Sequence, residues 1–253
     1  MLEALRLDGR VAIVTGASRG LGRAMALALA EAGADVALAA RSKPDLEETA
    51  RQVERMGRRA VVIPTDVRAF AEVEALVGQT RALLGRLDIL VKNSGVAQVT
   101  PLAEMSSAEW ARIVDTNLTG VFNGCRAAAP HFLAAGSGKV INITSVLGAV
   151  GLSGYAAYAA SKGGVIALTR ALAVEWARYN VQVNAIAPGW FLTEMNAEAF
   201  ANEKIRERLL RDVPMRRTGK TEEIGPLVVY LASPASDFMT GQTIFLDGGQ
   251  SAA

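Results

Sequence analysis

Short β-branched runs recur along the chain, apolar without alternation, separated by longer segments whose apolar positions follow helical spacing. Val11–Thr15, Asp35–Ala40, Ala60–Thr65, Leu87–Val91, Lys139–Thr144, Val181–Ala187 and Thr243–Leu246 read as strands, and their continuity is that of strands covered on both faces. Leu21–Ala32, Asp45–Met56, Phe70–Leu84, Ser107–His131, Tyr155–Arg178 and Thr221–Leu231 have helix length and composition. Strand–helix alternation of this kind predicts a parallel sheet with right-handed crossovers. The expected fold is α/β: one doubly wound, Rossmann-type domain of about seven strands covering 1–253, with helices on both faces. One stretch breaks the rhythm. Residues 190–217 mix Phe191, Leu192, Met195 and Phe200 with Lys204, Arg206, Arg208, Arg211, Arg216 and Arg217. They predict either a solvated helix pair or a lid at the carboxyl edge of the sheet, where open α/β folds bind ligands.

Composition narrows the class. With 253 residues and 51% hydrophobic content the chain can bury a large core, which excludes disorder. A net charge of +2 is too balanced for a protein that neutralises many phosphates, so no nucleic-acid partner is expected. One cysteine, Cys125, excludes an internal disulfide framework, and with a single histidine, His131, no Cys/His zinc site can be built. Met1–Arg10 has no apolar signal-like run, and runs such as Ala24–Ala30 fall far short of the ~18–20 residues a membrane span needs. A cytoplasmic chain with no membrane partner is the expectation.

Candidate chemistry begins after the first strand, at Thr15-Gly16-Ala17-Ser18-Arg19-Gly20-Leu21-Gly22. Glycines between a strand and a helix let the backbone approach a pyrophosphate, and the helix N-terminus behind them presents free N–H groups. The spacing is G-x-x-x-G-x-G rather than the commoner G-x-G-x-x-G. Gly16–Gly20 also fits the G-x-S-x-G nucleophile elbow of hydrolases. That reading lacks a placed histidine, and no earlier strand exists to supply an oxyanion loop. At the end of the second strand stands Ala40-Arg41-Ser42, with no acidic residue to hold ribose hydroxyls. Arg41, joined by Arg19, instead suits a 2′-phosphate, so NADP(H) is the expected cofactor.

Tyr158 and Lys162 stand four residues apart on one predicted helix, which turns both side chains to one face. An ammonium nearby favours the phenolate, so Tyr158 is a candidate general acid/base whose pKa Lys162 lowers. Tyr155 has alanine, not lysine, at the equivalent spacing.

These motifs taken together resemble the short-chain dehydrogenase/reductases over nearly the full length. The resemblance rests on Thr15–Gly22, Asp66-Val67, Asn93-Ser94-Gly95, Asn117, Ser145, Tyr158–Lys162, Pro188-Gly189 with Thr193, Thr240-Gly241-Gln242 and Asp247-Gly248-Gly249. It implies that Tyr158 exchanges a proton with a carbonyl or alcohol, that Ser145 hydrogen-bonds the same oxygen, and that Lys162 holds the nicotinamide ribose. It further implies that Asn117 helps hold a relay water, Asp66 meets the adenine, Asn93 and Gly95 flank the adenosine ribose, and Thr193 caps the nicotinamide end. Gly16, Ser18, Arg19, Gly20, Leu21, Gly22, Val67, Pro188 and Gly189 complete the implied cofactor contacts. In one place the chain departs from the pattern: Lys92 stands where the family has the first of two asparagines.

The implied activity interconverts a ketone and a secondary alcohol. The resemblance narrows to two groups, 3-oxoacyl reductases acting on carrier-protein thioesters and dehydrogenases of small polyols and sugar acids. His131–Gly136 offers no fixed cation where the first group usually carries lysines and arginines, so a small polar substrate is expected. A non-catalytic dinucleotide-binding regulator would have no need of Ser145, Tyr158 and Lys162 together. Tyr155–Trp176 carries small or apolar groups on nearly all sides of its first half, more than one sheet face can cover, so a second subunit is expected against it. The resemblance implies a homotetramer.

Overall fold

The computed structural model describes residues 2–194 and 196–252; Met195, one of the apolar residues of the 190–217 stretch, lies outside them. Seven parallel strands run in the order β3-β2-β1-β4-β5-β6-β7. They are β1 (Val11–Thr15), β2 (Asp35–Ala40), β3 (Ala60–Pro64), β4 (Ile89–Lys92), β5 (Gly138–Ile143), β6 (Val181–Pro188) and β7 (Thr243–Leu246).

Continuous apolarity has the expected cause. Along β1, Ala12 and Val14 point into one core with Met25, Leu29, Leu38 and Val228. Val11 and Ile13 point into the other with Leu76, Leu90, Phe132 and Val183. Each face of the sheet is therefore a separate hydrophobic layer, and burying each large side chain stabilises it by about 1.5–3 kcal/mol. Helices α1 (Gly20–Glu31), α2 (Lys43–Arg55) and α9 (Gly225–Ala232) cover the first face, and α3 (Phe70–Leu84), α5 (Gly120–Ala135) and α6 (Ala156–Trp176) the second.

Several expected elements differ in detail, most by a residue or two at an end. The strand expected from Leu87 begins at Ile89; at the corner before it, Asp88 N donates to the Val11 carbonyl at 2.9 Å, and the Asp88 carboxylate accepts from Val11 N at 2.9 Å and from Arg86 Nη2 at 2.6 Å. The helix expected over Ser107–His131 is broken. It runs as α4 (Ser107–Val114), a π turn (Asp115–Thr119) and α5. Residues 221–224 form a 3₁₀ turn before α9, and 190–217 hold two short helices, α7 (Ala197–Ala201) and α8 (Glu203–Arg211). No helix among the described residues is long and apolar enough to cross a membrane.

β1 lies between β2 and β4, so crossovers leave it toward opposite edges. Such a reversal opens a crevice beyond the carboxyl ends of the strands. Thr15, Lys92 and the loops after them meet there.

Candidate active site

The glycine turn is shaped by its close contacts. Gly16 and Gly20 hold φ of 66° and 53°, a region that disfavours side chains. A Cβ on Gly22 would lie 2.0 Å from the Gly16 carbonyl oxygen, so no other residue fits there. Thr15 Oγ1 accepts from Asn93 N at 3.1 Å and Ser94 N at 3.2 Å, and Asn93 Nδ2 donates to the Gly16 carbonyl at 3.2 Å. The loop after β4 is thereby fastened to the turn after β1.

Together they wall a cleft of about 650 Å³. Of the residues singled out from the sequence, Gly16, Ser18, Arg19, Gly20, Leu21, Arg41, Asp66, Val67, Asn93, Gly95, Ser145, Tyr158, Lys162, Pro188, Gly189 and Thr193 all line it. Gly22 and Asn117 sit behind its wall. A wider groove of about 1460 Å³ between the N-terminal turn, α1 and the 190–217 segment shares only Gly20, Thr193 and Glu194 with the cleft. It contains none of Ser145, Tyr158 and Lys162, so the smaller cleft is the candidate active site.

The cleft suits a phosphorylated dinucleotide in three respects. The glycine turn leaves a backbone cradle that a Cβ would fill, the α1 N-terminus opens behind it with no side-chain cap, and the exposed Arg19 and Arg41 flank it. Arg41 forms no ion pair among the described residues. Asp66 is less free than expected. Arg68 Nη2 lies 2.5 Å from its Oδ2, Arg68 N donates to Oδ1 at 3.0 Å, and the guanidinium holds its carboxyl below the usual range. An adenine contact at Asp66 would have to share this ion pair.

Ser145, buried at the tip of β5, caps a short turn by accepting from Leu147 N at 3.2 Å. Tyr158 and Lys162 project from α6, which Thr144 Oγ1 ties to β5 by donating to the Lys162 carbonyl at 2.8 Å. The ammonium donates to the Ile143 carbonyl at 2.8 Å and sits 5.7 Å from the Tyr158 ring centroid. Burial brings the Lys162 pKa down to about 8. The sequence predicts a lowered Tyr158 pKa; the structure gives the opposite direction. Burial raises the phenol above its ordinary value, and a hydrogen bond with Ser145 only partly offsets this. Lys162, buried and directed at a backbone carbonyl, does not reverse it.

Asn117 lies in the π turn and is fully buried. Its Oδ1 accepts from Val96 N at 2.8 Å, and its Nδ2 donates to the Val96 carbonyl at 2.9 Å and to Ser161 Oγ at 3.1 Å. The side chain is thus fully engaged in clamping the loop after Gly95 to α6. π turns inside helices cluster at functional sites.

Several contributors escape the sequence reading. Thr15 supplies the oxygen that fastens the two loops, and only its position at a strand tip marks it. At the outer end of the cleft, Arg112 donates to Gln98, which donates to Glu109 and to Thr100. From the 190–217 segment, Asn196 accepts from Thr193 N at 2.9 Å and donates to the Phe191 carbonyl at 2.8 Å, holding Thr193 toward the cleft.

A family model described as Enoyl-(Acyl carrier protein) reductase matches residues 16–251. The chain belongs to the short-chain dehydrogenase/reductase family. This dehydrogenase/reductase is 40% identical to the 2-dehydro-3-deoxy-D-gluconate 5-dehydrogenase of Escherichia coli over 250 residues, 98% of each chain. It is 41% identical to a 3-oxoacyl-[acyl-carrier-protein] reductase of Staphylococcus aureus over 239 residues, 94% of this chain and 96% of the other. Among solved structures, a gluconate 5-dehydrogenase from Burkholderia cenocepacia in complex with NADP and tartrate superposes with a TM-score of 0.96 at 40% identity, covering 100% of this chain and 99% of that one. This dehydrogenase/reductase is an oxidoreductase with a single Rossmann-type domain.

Proposed function

We propose that the enzyme interconverts a ketone and a secondary alcohol with NADP(H), acting on a small polar polyol or sugar acid. The observation that carries this reading is the convergence of Ser145, Tyr158 and Lys162 on the cleft that also holds the glycine turn and Arg41. When bound, the nicotinamide supplies or accepts the hydride. The chain's own residues position the substrate and move the proton. Tyr158, held protonated by burial, donates its phenolic proton to the carbonyl oxygen as the alcohol forms. Ser145 Oγ hydrogen-bonds that oxygen and fixes its position. Lys162 secures the cofactor ribose beside Tyr158. Residues 190–217 serve as a substrate lid, with Thr193 and Glu194 at its inner edge.

Cofactor choice follows from Arg41 and Arg19, since charge-assisted pairs recognise a 2′-phosphate. The Burkholderia relative was solved with NADP, which agrees with this reading.

A second reading, 3-oxoacyl thioester reduction, has the Staphylococcus relative in its favour. An acidic carrier protein would dock on a basic patch. At the end of α5, His131 has its pKa lowered by burial and by Arg81, so it offers no fixed positive charge there. The polar substrate is therefore preferred. The test is a panel of keto-sugar acids, polyols and an acetoacetyl thioester, assayed by absorbance of reduced cofactor. Turnover confined to the thioester would overturn the choice.

A further inference from the structure

Lys92 ends β4 on the sheet face covered by α5 and is only 2% exposed. Among the described residues no carboxylate pairs with it. Its Nζ instead donates to the sulfur of Cys125, on α5, which is 3% exposed and the only cysteine of the chain. The pair is accommodated by a specific gap. Gly124 faces the lysine stem, and a Cβ there would lie 2.8 Å from Lys92 Cδ, so any larger residue would displace the amine from the thiol. Asn142, beside Lys92 in the sheet register, adds a buried Oδ1 with no hydrogen-bond partner. A primary amine and a thiol are thus enclosed in contact, with no acid among the described residues to fix the amine as an ion pair. Burial also pushes the Lys92 pKa down, which favours the free amine, although the thiol contact pulls the other way.

We propose that Lys92 and Cys125 form a reversible sulfur–nitrogen crosslink when the enzyme meets hydrogen peroxide. In the first step the thiol sulfur attacks one peroxide oxygen. The S–O bond forms, the O–O bond breaks and water leaves, so that sulfur is oxidised by two electrons and the peroxide reduced. In the second, the Lys92 nitrogen lone pair attacks the sulfenic sulfur. The S–N bond forms, the S–O bond breaks, and the departing hydroxide takes a proton from the amine to leave as a second water. One thiol, one amine and one peroxide become a sulfenamide and two waters, in the manner of sulfenic acids that condense with a neighbouring nitrogen. Added thiol reverses the link by attacking sulfur and releasing the amine. The link joins β4 to α5 one residue before Asn93, which holds the glycine turn.

Mass spectrometry of the full-length protein after graded peroxide, with and without later dithiothreitol, tests the proposal. The expected product is lighter by two hydrogen atoms, resists trypsin after Lys92, yields a joined pair of peptides and reverts with dithiothreitol. Cys125→Ala should abolish it. Lys92→Met should leave Cys125 to accumulate as sulfenic acid trapped by dimedone, or as sulfinic acid. If wild-type Cys125 is instead trapped by dimedone or oxidised onward as readily as in Lys92→Met, the proposal fails. It fails equally if wild-type Cys125 stays a free thiol under peroxide that oxidises the exposed Met56 and Met215.

Discussion

Two tyrosines line the site, and the proposed proton transfer assigns a role to only one. Tyr155 and Tyr158 meet edge to face at 6.2 Å between centroids, but only Tyr158 has a phenol whose pKa Ser145 influences, and only Tyr158 lies beside the Lys162 ammonium. Tyr158→Phe is expected to lower kcat by roughly 10²–10⁴-fold with cofactor affinity kept, and Tyr155→Phe to do much less. Steady-state kinetics on both variants checks this, and equal losses would remove Tyr158 from its role. For Arg41→Ala the expected loss is in NADPH affinity, about 10- to 150-fold, since a charge-assisted bond contributes about 1.5–3 kcal/mol. NADH binding should scarcely change, as titration of cofactor fluorescence would reveal. Lys162 gives a prediction for stability. Its pKa of about 8 lies below the ordinary 10.5, so between these values the unfolded chain holds a proton that the native state lacks. Native stability therefore rises with pH across that window, and the full penalty of burying the charge, on the order of 3 kcal/mol, applies below it. Lys162→Met should be more stable than wild type at pH 7, with the advantage shrinking toward pH 10.5 in urea titrations. The Tyr158–Lys162 pair is legible in the sequence because helical spacing alone puts both on one face. The direction of the Tyr158 pKa is not legible, because it depends on how loops distant in sequence bury the ring. Asp66 shows the same limit, since its engagement by Arg68 is a side-chain choice that no periodicity encodes.

At the scale of elements, the informative departure is the π turn. Apolar spacing over Ser107–His131 is compatible with one continuous helix, because an inserted residue alters phase without changing composition. What opens the turn is the set of bonds from the Asn117 side chain to Val96 and Ser161. Asn117→Ala should free the loop after Gly95, raising amide exchange at Val96 and lowering kcat, while far-UV dichroism stays unchanged. Protection at Val96 equal to wild type would show that another contact holds the loop. The strands β1, β2 and β7 match their expected limits to the residue, since unbroken apolar runs flanked by glycine or polar residues have little freedom in where they end.

Across the whole molecule the sheet has two covered faces, yet apolar surface remains. Ala160, Ala167, Ala171 and Val174 line an exposed side of α6, with Val174 83% exposed, and Phe122 and Trp110 are also open to solvent. A helix apolar on the side away from its sheet calls for another protein surface. Sedimentation velocity at micromolar concentration should give a tetramer, and Val174→Glu should shift it toward smaller species. A wild-type monomer would refute this.

The position of β1 at the turning point of the sheet has a consequence for inheritance. On the β3-β2-β1 side stand Gly16–Gly22, Arg41 and Asp66; on the β4–β7 side stand Ser145, Tyr158, Lys162 and Thr193. On the proposed reading, the choice between coenzymes rests with the tip of β2, while the proton-handling residues and the lid are written in a later stretch of the gene. An exchange at the tip of β2 can retarget the coenzyme without touching what is reduced. On the same reading, edits in residues 190–217 other than Thr193 would change the substrate while the redox partner stays the same. A lineage carrying this layout can diversify along the two axes independently.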